Sequence, residues 1–255
     1  MAVAILADAH LGGPGGHAEP LVAQLEALPS QGCDHLILLG DLFQAWIGFP
    51  RFETAEIRAV VACLRRLRAQ GLRVDYVEGN RDFFLSESPY RDAFDRVTLE
   101  VAFEEAGCRF LAVHGDGIDA SDYAYRFWRR LSKSPPSRFF CRHLPARLAR
   151  RLVDGTEDRL SRTNFKHKAN LPEAAIRRYT ERRLREGHDA LLFGHFHEQR
   201  TWNVGPGRAL LLSAWFKTRR VVWASELGGG LLAEANSEPS PPRDSTAAIG
   251  PVRGG

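Results

Sequence analysis

The chain has 255 residues, 44% hydrophobic and 26% charged, with a formal net charge of +4, which suits one large soluble domain with a substantial core. No apolar run approaches the length of a transmembrane helix. The N-terminus has no basic n-region and its apolar stretch is broken by Asp8 and His10, so neither a span nor a secretory signal is expected, and the cytoplasm is the expected compartment.

Elements alternate along the first half. Val3 to Ala7 is a predicted strand, and Ala18 to Leu28 a helix with Leu21, Leu25 and Leu28 on one side. A second strand, Leu36 to Leu39, runs into Asp41. Thr54 to Gln70 is a long helix whose face is Ile57, Val60, Val61, Leu64 and Leu67, stopped by Gly71. Val74 to Glu78 is the next strand, and Thr98 to Phe103 with Cys108 to His114 reads as a hairpin. From about 120 to 186 no strand is expected; the segment reads as a helical insertion interrupted by Ser134-Pro135-Pro136 and Pro145. Strands return at Leu191 to Phe193, Arg208 to Ala214 and Arg219 to Ser225. Residues 1–235 thus form one domain, and the Ser-, Pro- and Gly-rich tail 236–255 is expected to be disordered.

Charge and cysteine are unevenly informative. Between Arg129 and Lys168 twelve Lys and Arg face three Asp and Glu, a balance of +9 that leaves −5 for the rest of the chain. Such a basic segment suits an anionic partner, or is simply an Arg-rich solvated surface. Cys33, Cys63, Cys108 and Cys141 form no C-x-x-C, which gives a zinc ribbon or dithiol centre no support; Cys63 and Cys108 are read as reduced core residues.

Five short blocks carry the chemistry: Asp8-Ala9-His10, Gly40-Asp41, Gly79-Asn80-Arg81-Asp82, His114-Gly115-Asp116 and Gly194-His195-Phe196-His197. Each follows an apolar run that reads as a strand. One D-x-H is a weak signal, whereas five such blocks in one order predict a metal site. Oxygen and nitrogen donors without cysteine suit Mn²⁺, Fe²⁺ or Zn²⁺. Two ions roughly 3.5–4 Å apart can hold the attacking and leaving oxygens of an in-line displacement. A carboxylate must bridge them, and Asp41, presented after a strand and a glycine, is the natural candidate.

These blocks resemble those of the calcineurin-like metallophosphoesterases. The resemblance implies a four-layer α/β/β/α sandwich of two mixed sheets, with the active site at the strand C-termini. It also implies one ion on Asp8, His10, Asp41 and His197, a second on Asp41, Asn80, His114 and His195, and water activated between them as the nucleophile. Most of that superfamily reads G-N-H-[DE] in the third block, where the His assists an alcohol leaving group. This chain has Arg81 there. Arg is a poor general acid and a good clamp for a phosphate oxygen. That favours a leaving group that is itself a phosphate, and hence cleavage of a P–O–P bond; the alternative is a structural pair with Asp82.

Longer strings, Gly40 to Gly48, Gly79 to Phe84, and His114-Gly115-Asp116 followed by Asp122, Tyr125 and Phe127, resemble the UDP-2,3-diacylglucosamine pyrophosphatase family of lipid A biosynthesis over roughly Met1 to Ser225. This implies a Mn²⁺ enzyme, peripheral on the cytoplasmic face of the inner membrane, that releases UMP and 2,3-diacylglucosamine 1-phosphate. It also implies a helical lid that receives the acyl chains. The catalytic set would be Asp41, Asn80, Arg81 and His114. Substrate contacts would come from Asn80, Arg81 and His195, and from Asp122, Ser161, Asn164, Lys166 and Lys168 in the insertion. Tyr123, Phe127 and Leu131 with Trp128, and a second stripe of Phe140, Leu144, Leu148 and Leu152 flanked by Arg147, Arg150 and Arg151, suit a lid that lies on an anionic membrane surface or ordinary packed helices.

Departures from that family are Trp46-Ile47-Gly48-Phe49-Pro50 for W-I-G-D-D, Gln44 for an acid, and Phe196 for the Thr of G-H-T-H. None removes a metal ligand. They leave open a soluble phosphodiesterase or nucleotide phosphatase, while a non-catalytic scaffold would be expected to lack ligands. No nucleic-acid module is recognised and no protein partner can be inferred. His17, His35, His143, His167 and His188 are read as surface or structural, and Trp202, Trp215 and Trp223 as packing residues.

Overall fold

The computed structural model describes residues 1–13, 16–119, 122–145, 148 and 171–227. In chain order the strands and helices are β1 (Val3–Leu6), α1 (Glu19–Ala27), β2 (His35–Leu38), β3 (Trp46–Ile47), α2 (Ala55–Ala69), β4 (Arg73–Val77), β5 (Asp82–Phe83), β6 (Arg96–Thr98), β7 (Glu100–Glu105) and β8 (Cys108–Val113). They continue with α3 (Tyr123–Ser132), α4 (Pro135–His143), α5 (Glu173–Leu184), β9 (Ala190–Phe193), β10 (Arg200–Val204), β11 (Gly207–Leu211), α6 (Trp215–Thr218) and β12 (Val222–Trp223).

Side-chain alternation in the strands decides the layering. One sheet has the order β12-β1-β2-β4-β6, with only β12 antiparallel to its neighbour. Ala4, Leu6, Leu36, Leu38, Val74 and Tyr76 point from it into a core with Leu21 and Leu25 of α1 and Ile57, Val60, Val61, Leu64 and Leu67 of α2. The alternate residues Ile5, Ile37 and Val77 point the other way. They meet Phe103, Phe110, Ala112 and Leu192 of a second sheet, ordered β10-β11-β9-β8-β7. Leu111, Val113, Leu191, Phe193 and Leu211, on that sheet's far face, pack against Ile176 of α5. The result is the expected four-layer α/β/β/α sandwich. Both sheets are mixed and covered on both faces, which is why β1, β9 and β2 beyond His35 read as unbroken apolar runs.

Local signals account for most boundaries. Thr54 caps α2, its Oγ1 accepting from Ile57 N at 3.2 Å, and Gly71 takes a positive φ of 99° just beyond the helix. Pro135 opens α4 behind Ser134, whose Oγ accepts from Ser137 N at 3.4 Å.

Several expectations need correction. The run Thr98 to Phe103 is not one strand. It breaks at exposed Leu99, so that β6 ends the first sheet and β7 begins the second. The strand from Arg208 stops at Leu211; Trp215–Thr218 is a short helix, closed by Arg219 at φ 54°, and only Val222–Trp223 of the following run pairs. The stripe from Phe140 is broken too, because α4 ends at His143. Leu144 is extended and buried, its carbonyl accepting from Arg51. Within 120–186 no described residue is in a strand, as expected, but α5 is an outer layer of the sandwich and does not stand with α3 and α4. Leu152, Arg147, Arg150, Arg151 and the tail 236–255 lie outside the described residues.

One polar group interrupts the inter-sheet core. Asp75 and His35 are both fully buried and joined at 2.8 Å, with Arg96 closing on both Asp75 oxygens at 3.0 and 2.7 Å. Burial alone would raise the Asp75 carboxyl, but hydrogen bonds to His35 and Arg96 overcome it and hold the group well below the usual range. A depressed carboxyl stabilises the fold fully above its unfolded value and loses that contribution as pH falls toward the folded one. Asp75→Asn is therefore expected to cost about 3 kcal/mol at neutral pH, with the gap to wild type closing below about pH 4. Urea unfolding at pH 7 and pH 3 checks this; a gap that stays constant would show that the charge is not the stabilising feature.

Candidate metal centre

Beyond the sheet ends the backbone leaves regular geometry, and the five blocks converge there. Asp8 N donates to Gly40 O at 3.2 Å, and His10 N to Asp41 O at 3.1 Å, so the loops after β1 and β2 run on side by side. Asp8 (φ 54°), His10 (46°), Asp41 (52°), His195 (64°) and His197 (56°) are all left-handed. That conformation is uncommon for residues other than glycine and tends to gather at functional sites. Gly79 is required by space: a Cβ there would lie 2.3 Å from Asp41 Oδ1 and 2.9 Å from His114 Cε1.

Two groups of donor atoms result. In the first, His10 Nε2 and His197 Nε2 are 3.1 Å apart, and Asp8 Oδ1 lies 3.3 Å from His197 Nε2 and 3.8 Å from His10 Nε2. In the second, Asn80 Oδ1 sits 3.2 Å from His114 Nε2 and 3.0 Å from His195 Nδ1, with Asp41 Oδ2 3.6 Å from His114 Nε2. Asp8, Asp41 and His114 also offer one mutually close set of ligand atoms, so Asp8 belongs to both carboxylate–imidazole clusters and Asp41 to one. The structure therefore brings Asp8, His10, Asp41, Asn80, His114, His195 and His197 together.

Supporting bonds fix these donors. His114 Nδ1 donates to Leu39 O at 2.8 Å, which aims Nε2 at the centre. Asp8 Oδ2 accepts from His195 N at 2.8 Å. His10 and His197 make T-shaped contacts with the Phe216 ring at centroid distances of 5.4 and 5.2 Å. Asp82 Oδ2 accepts from both Asp41 N (3.0 Å) and Gly79 N (2.7 Å), locking the β2 and β4 loops together.

Arg81 does not pair with Asp82. Its N–H donates to Asp41 Oδ1 at 2.9 Å, its Nε lies 3.6 Å from Asp41 Oδ2, and its Nη1 donates to Gln44 O and Oε1 at 3.0 and 2.5 Å. The guanidinium is buried at the edge of the centre with its charge facing one carboxylate and a neutral amide.

Three carboxylates, Asp8, Asp41 and Asp116, act on the His114 imidazole. Burial raises the Asp41 carboxyl to about 7, against the pull of His114. Burial would lower His114, but Asp41, Asp8 and Asp116 raise it to about 9, while burial and the charge of His114 push His195 down to about 3. Two imidazole nitrogens and a carboxylate oxygen, buried and close enough to share protons, suit divalent cations of the borderline class.

Other expected residues fall elsewhere. Asp122 caps α3, its Oδ1 accepting from Tyr125 N at 2.8 Å. Ser161, Asn164, Lys166, Lys168 and His167 lie outside the described residues. His35 is the structural partner of Asp75, His17 is exposed, and His143 Nδ1 approaches Phe139 O at 2.9 Å. His188 is half-buried away from strands and helices. Trp215 is buried in the helix-side core, against which Trp223 packs, and Trp202 packs on the α5 side. Sequence reasoning missed Phe216 and the roles of Asp82 and Asp116. Asp82 and Asp116 sit inside the quoted blocks, but nothing in the sequence separates a loop lock from a ligand.

Residues 1–199 match the calcineurin-like phosphoesterase family. A UDP-2,3-diacylglucosamine hydrolase of Azotobacter vinelandii is 30% identical over 206 residues, covering 76% of this chain and 81% of that protein. One from Xanthomonas axonopodis pv. citri is 28% identical, covering 91% and 98%. A solved structure of phosphopantetheinyl hydrolase from Mycobacterium tuberculosis aligns over 87% of this chain and 95% of that one at 16% identity, with a TM-score of 0.45.

Proposed function

The chain belongs to the calcineurin-like phosphoesterase family, and from that premise we propose that it hydrolyses the pyrophosphate bond of UDP-2,3-diacylglucosamine to UMP and 2,3-diacylglucosamine 1-phosphate. The observation that carries this reading is Arg81, buried beside Asp41 and Asn80 and anchored through Gln44. Water's oxygen joins one phosphorus, the bridging P–O bond breaks, and the bridge oxygen leaves on the second phosphate. A phosphate, with a second pKa of roughly 6, leaves without first taking a proton. Arg81, which cannot supply one, instead holds the phosphate oxygens by its remaining N–H groups.

Asp8, His10, Asp41 and His197 would hold one divalent ion and Asp41, Asn80, His114 and His195 a second, with Mn²⁺ the expected metal. Such ions, when bound, acidify water and neutralise charge developing on phosphoryl oxygens. Asp41 is the proposed bridge; Asp8, common to both clusters, is the second reading.

The lipid part of the substrate is supported by the relatives' names and by an apolar surface. Tyr123, Phe127, Trp128 and Leu131 on α3, with Phe139 and Phe140 on α4, are all exposed. An exposed apolar patch of that kind marks a protein, ligand or membrane contact, and Arg130 and Arg142 on the same helices suit the anionic headgroups of a membrane. Among the described residues no helix is long and apolar enough to cross a membrane, so the proposed association is peripheral. Ser161, Asn164, Lys166 and Lys168 remain proposed sugar and phosphate contacts, with Asp122.

The test is Mn²⁺-dependent release of UMP from UDP-2,3-diacylglucosamine by the purified full chain. Release supports the assignment. No release, with bis-p-nitrophenyl phosphate still hydrolysed, would retain a phosphodiesterase and sink the lipid substrate.

A further inference from the structure

Helix α3 has a second face, turned toward the body. Tyr125, Arg129 and Lys133 recur every four residues on it and are only partly exposed, in contrast to Tyr123 and Phe127. Tyr125 Oη and Arg129 Nε both donate to one oxygen of Asp116, Oδ2, at 2.5 and 2.7 Å. Asp116 is 5% exposed and stands two residues beyond His114. Lys133 Nζ, at the C-terminal end of the same helix, donates to Gly79 O at 2.9 Å and lies 4.0 Å from Glu78. Gly79 immediately precedes Asn80. One face of one helix is thereby bonded to both loops that carry the Asn80–His114 pair.

We propose that Asp116 is a positioning residue that couples the helical insertion to the metal centre. Its buried carboxylate, bonded to Tyr125 and Arg129, fixes α3 relative to the His114 loop while Lys133 fixes it relative to the Asn80 loop. The coupling rests on reading Asn80 and His114 as members of the centre. A side chain that only stabilised the fold would have no reason to concentrate on α3. The body is already closed by its three cores, and among the described residues α3 contributes no buried side chain to them. Among the described residues α3 has no buried apolar side chain, and these charged bonds give it its seat. Hydrogen bonds to charged groups are the strong ones, and a partly buried carboxylate–guanidinium pair loses little to solvent screening. The exposed aromatic face and the catalytic loops therefore move as one unit. Where the lipid-facing surface sits decides where the phosphates arrive.

The experiment is hydrogen exchange read by mass spectrometry on the full chain with Mn²⁺, for wild type, Asp116→Asn, Arg129→Gln and the double variant. Exchange in the peptide spanning Tyr123 to Ser132 is expected to rise on the order of ten- to a hundred-fold in each single variant, with strands β1, β2 and β8 unchanged and the double variant no faster than either single one. Arg129→Gln alters a partly exposed helix residue and guards against a misfolded Asp116 variant. Unchanged α3 exchange in both singles, or effects that add in the double, would overturn the coupling. Alongside, Arg129→Gln is expected to raise KM for UDP-2,3-diacylglucosamine about tenfold while the rate on bis-p-nitrophenyl phosphate holds; equal losses on both substrates would also count against it. Should wild type fail to cleave the lipid substrate, the substrate assignment falls and the exchange result still judges the coupling.

Discussion

Asp41→Ala is expected to reduce kcat by at least ~10³-fold and to strip bound metal, because Asp41 is the proposed bridge between the two ions. Asp41 is 2% exposed, accepts from Arg81 N, and faces His114 Nε2 at 3.6 Å. Its removal leaves the Arg81 guanidinium without its acidic neighbour and takes a donor from the second cluster. Metal analysis after dialysis separates the two readings of the bridge. If Asp41 bridges, both equivalents are lost in Asp41→Ala. Loss of one equivalent there, and of both in Asp8→Ala, would transfer the bridge to Asp8. A variant that keeps its kcat within tenfold would remove Asp41 from the centre altogether.

Arg81→Ala is expected to lower kcat/KM on the pyrophosphate substrate by ~10²–10³-fold while leaving metal content intact, since Arg81 contributes charge and N–H groups but no metal donor. Arg81→Lys is expected to recover only a small part of this, because an ammonium cannot reproduce a fork already engaged with Gln44 O and Oε1. The loss should be larger on the pyrophosphate than on bis-p-nitrophenyl phosphate, whose leaving group carries no phosphate. Equal losses on both would assign Arg81 to the phosphoryl group under attack, and no loss on either would end its role.

The sandwich was legible because β1, β2, β4, β8 and β9 carry short apolar runs that lead into a polar ligand block, and because the α2 face repeats at helical spacing between Thr54 and Gly71. Elements without an apolar period were not legible. The edge strand β10, Arg-Thr-Trp-Asn-Val, presents mostly exposed side chains and owes its existence to pairing with β11. The two-residue strands β3 and β5 exist only through each other. The break at Leu99 was hidden because both halves of the run are strands, and only tertiary context assigns them to different sheets. At the centre, residue type and order identified which side chains meet. What they could not supply was the division of labour among carboxylates. Asp8, Asp41, Asp82 and Asp116 are chemically alike, and geometry alone gives Asp82 two backbone N–H groups and Asp116 a helix.

The left-handed backbone at Asp8, His10, Asp41, His195 and His197 restricts the donor alphabet of this centre. Asp, Asn and His enter that region several-fold more readily than other side chains, and five separate demands of this kind leave little room for any other donor at those positions. Glutamate has the same carboxylate, yet its longer unbranched chain brings no local hydrogen bond to offset the strain, so Asp→Glu at position 8 or 41 should fail on conformation before it fails on reach. Thiolate donors meet the same barrier. At these five positions hard and borderline donors are thus favoured by dihedral angles as much as by ligand chemistry, whereas Asn80 and His114, outside the left-handed region, are the two positions where a descendant of this chain could exchange a donor without first rebuilding the end of a strand.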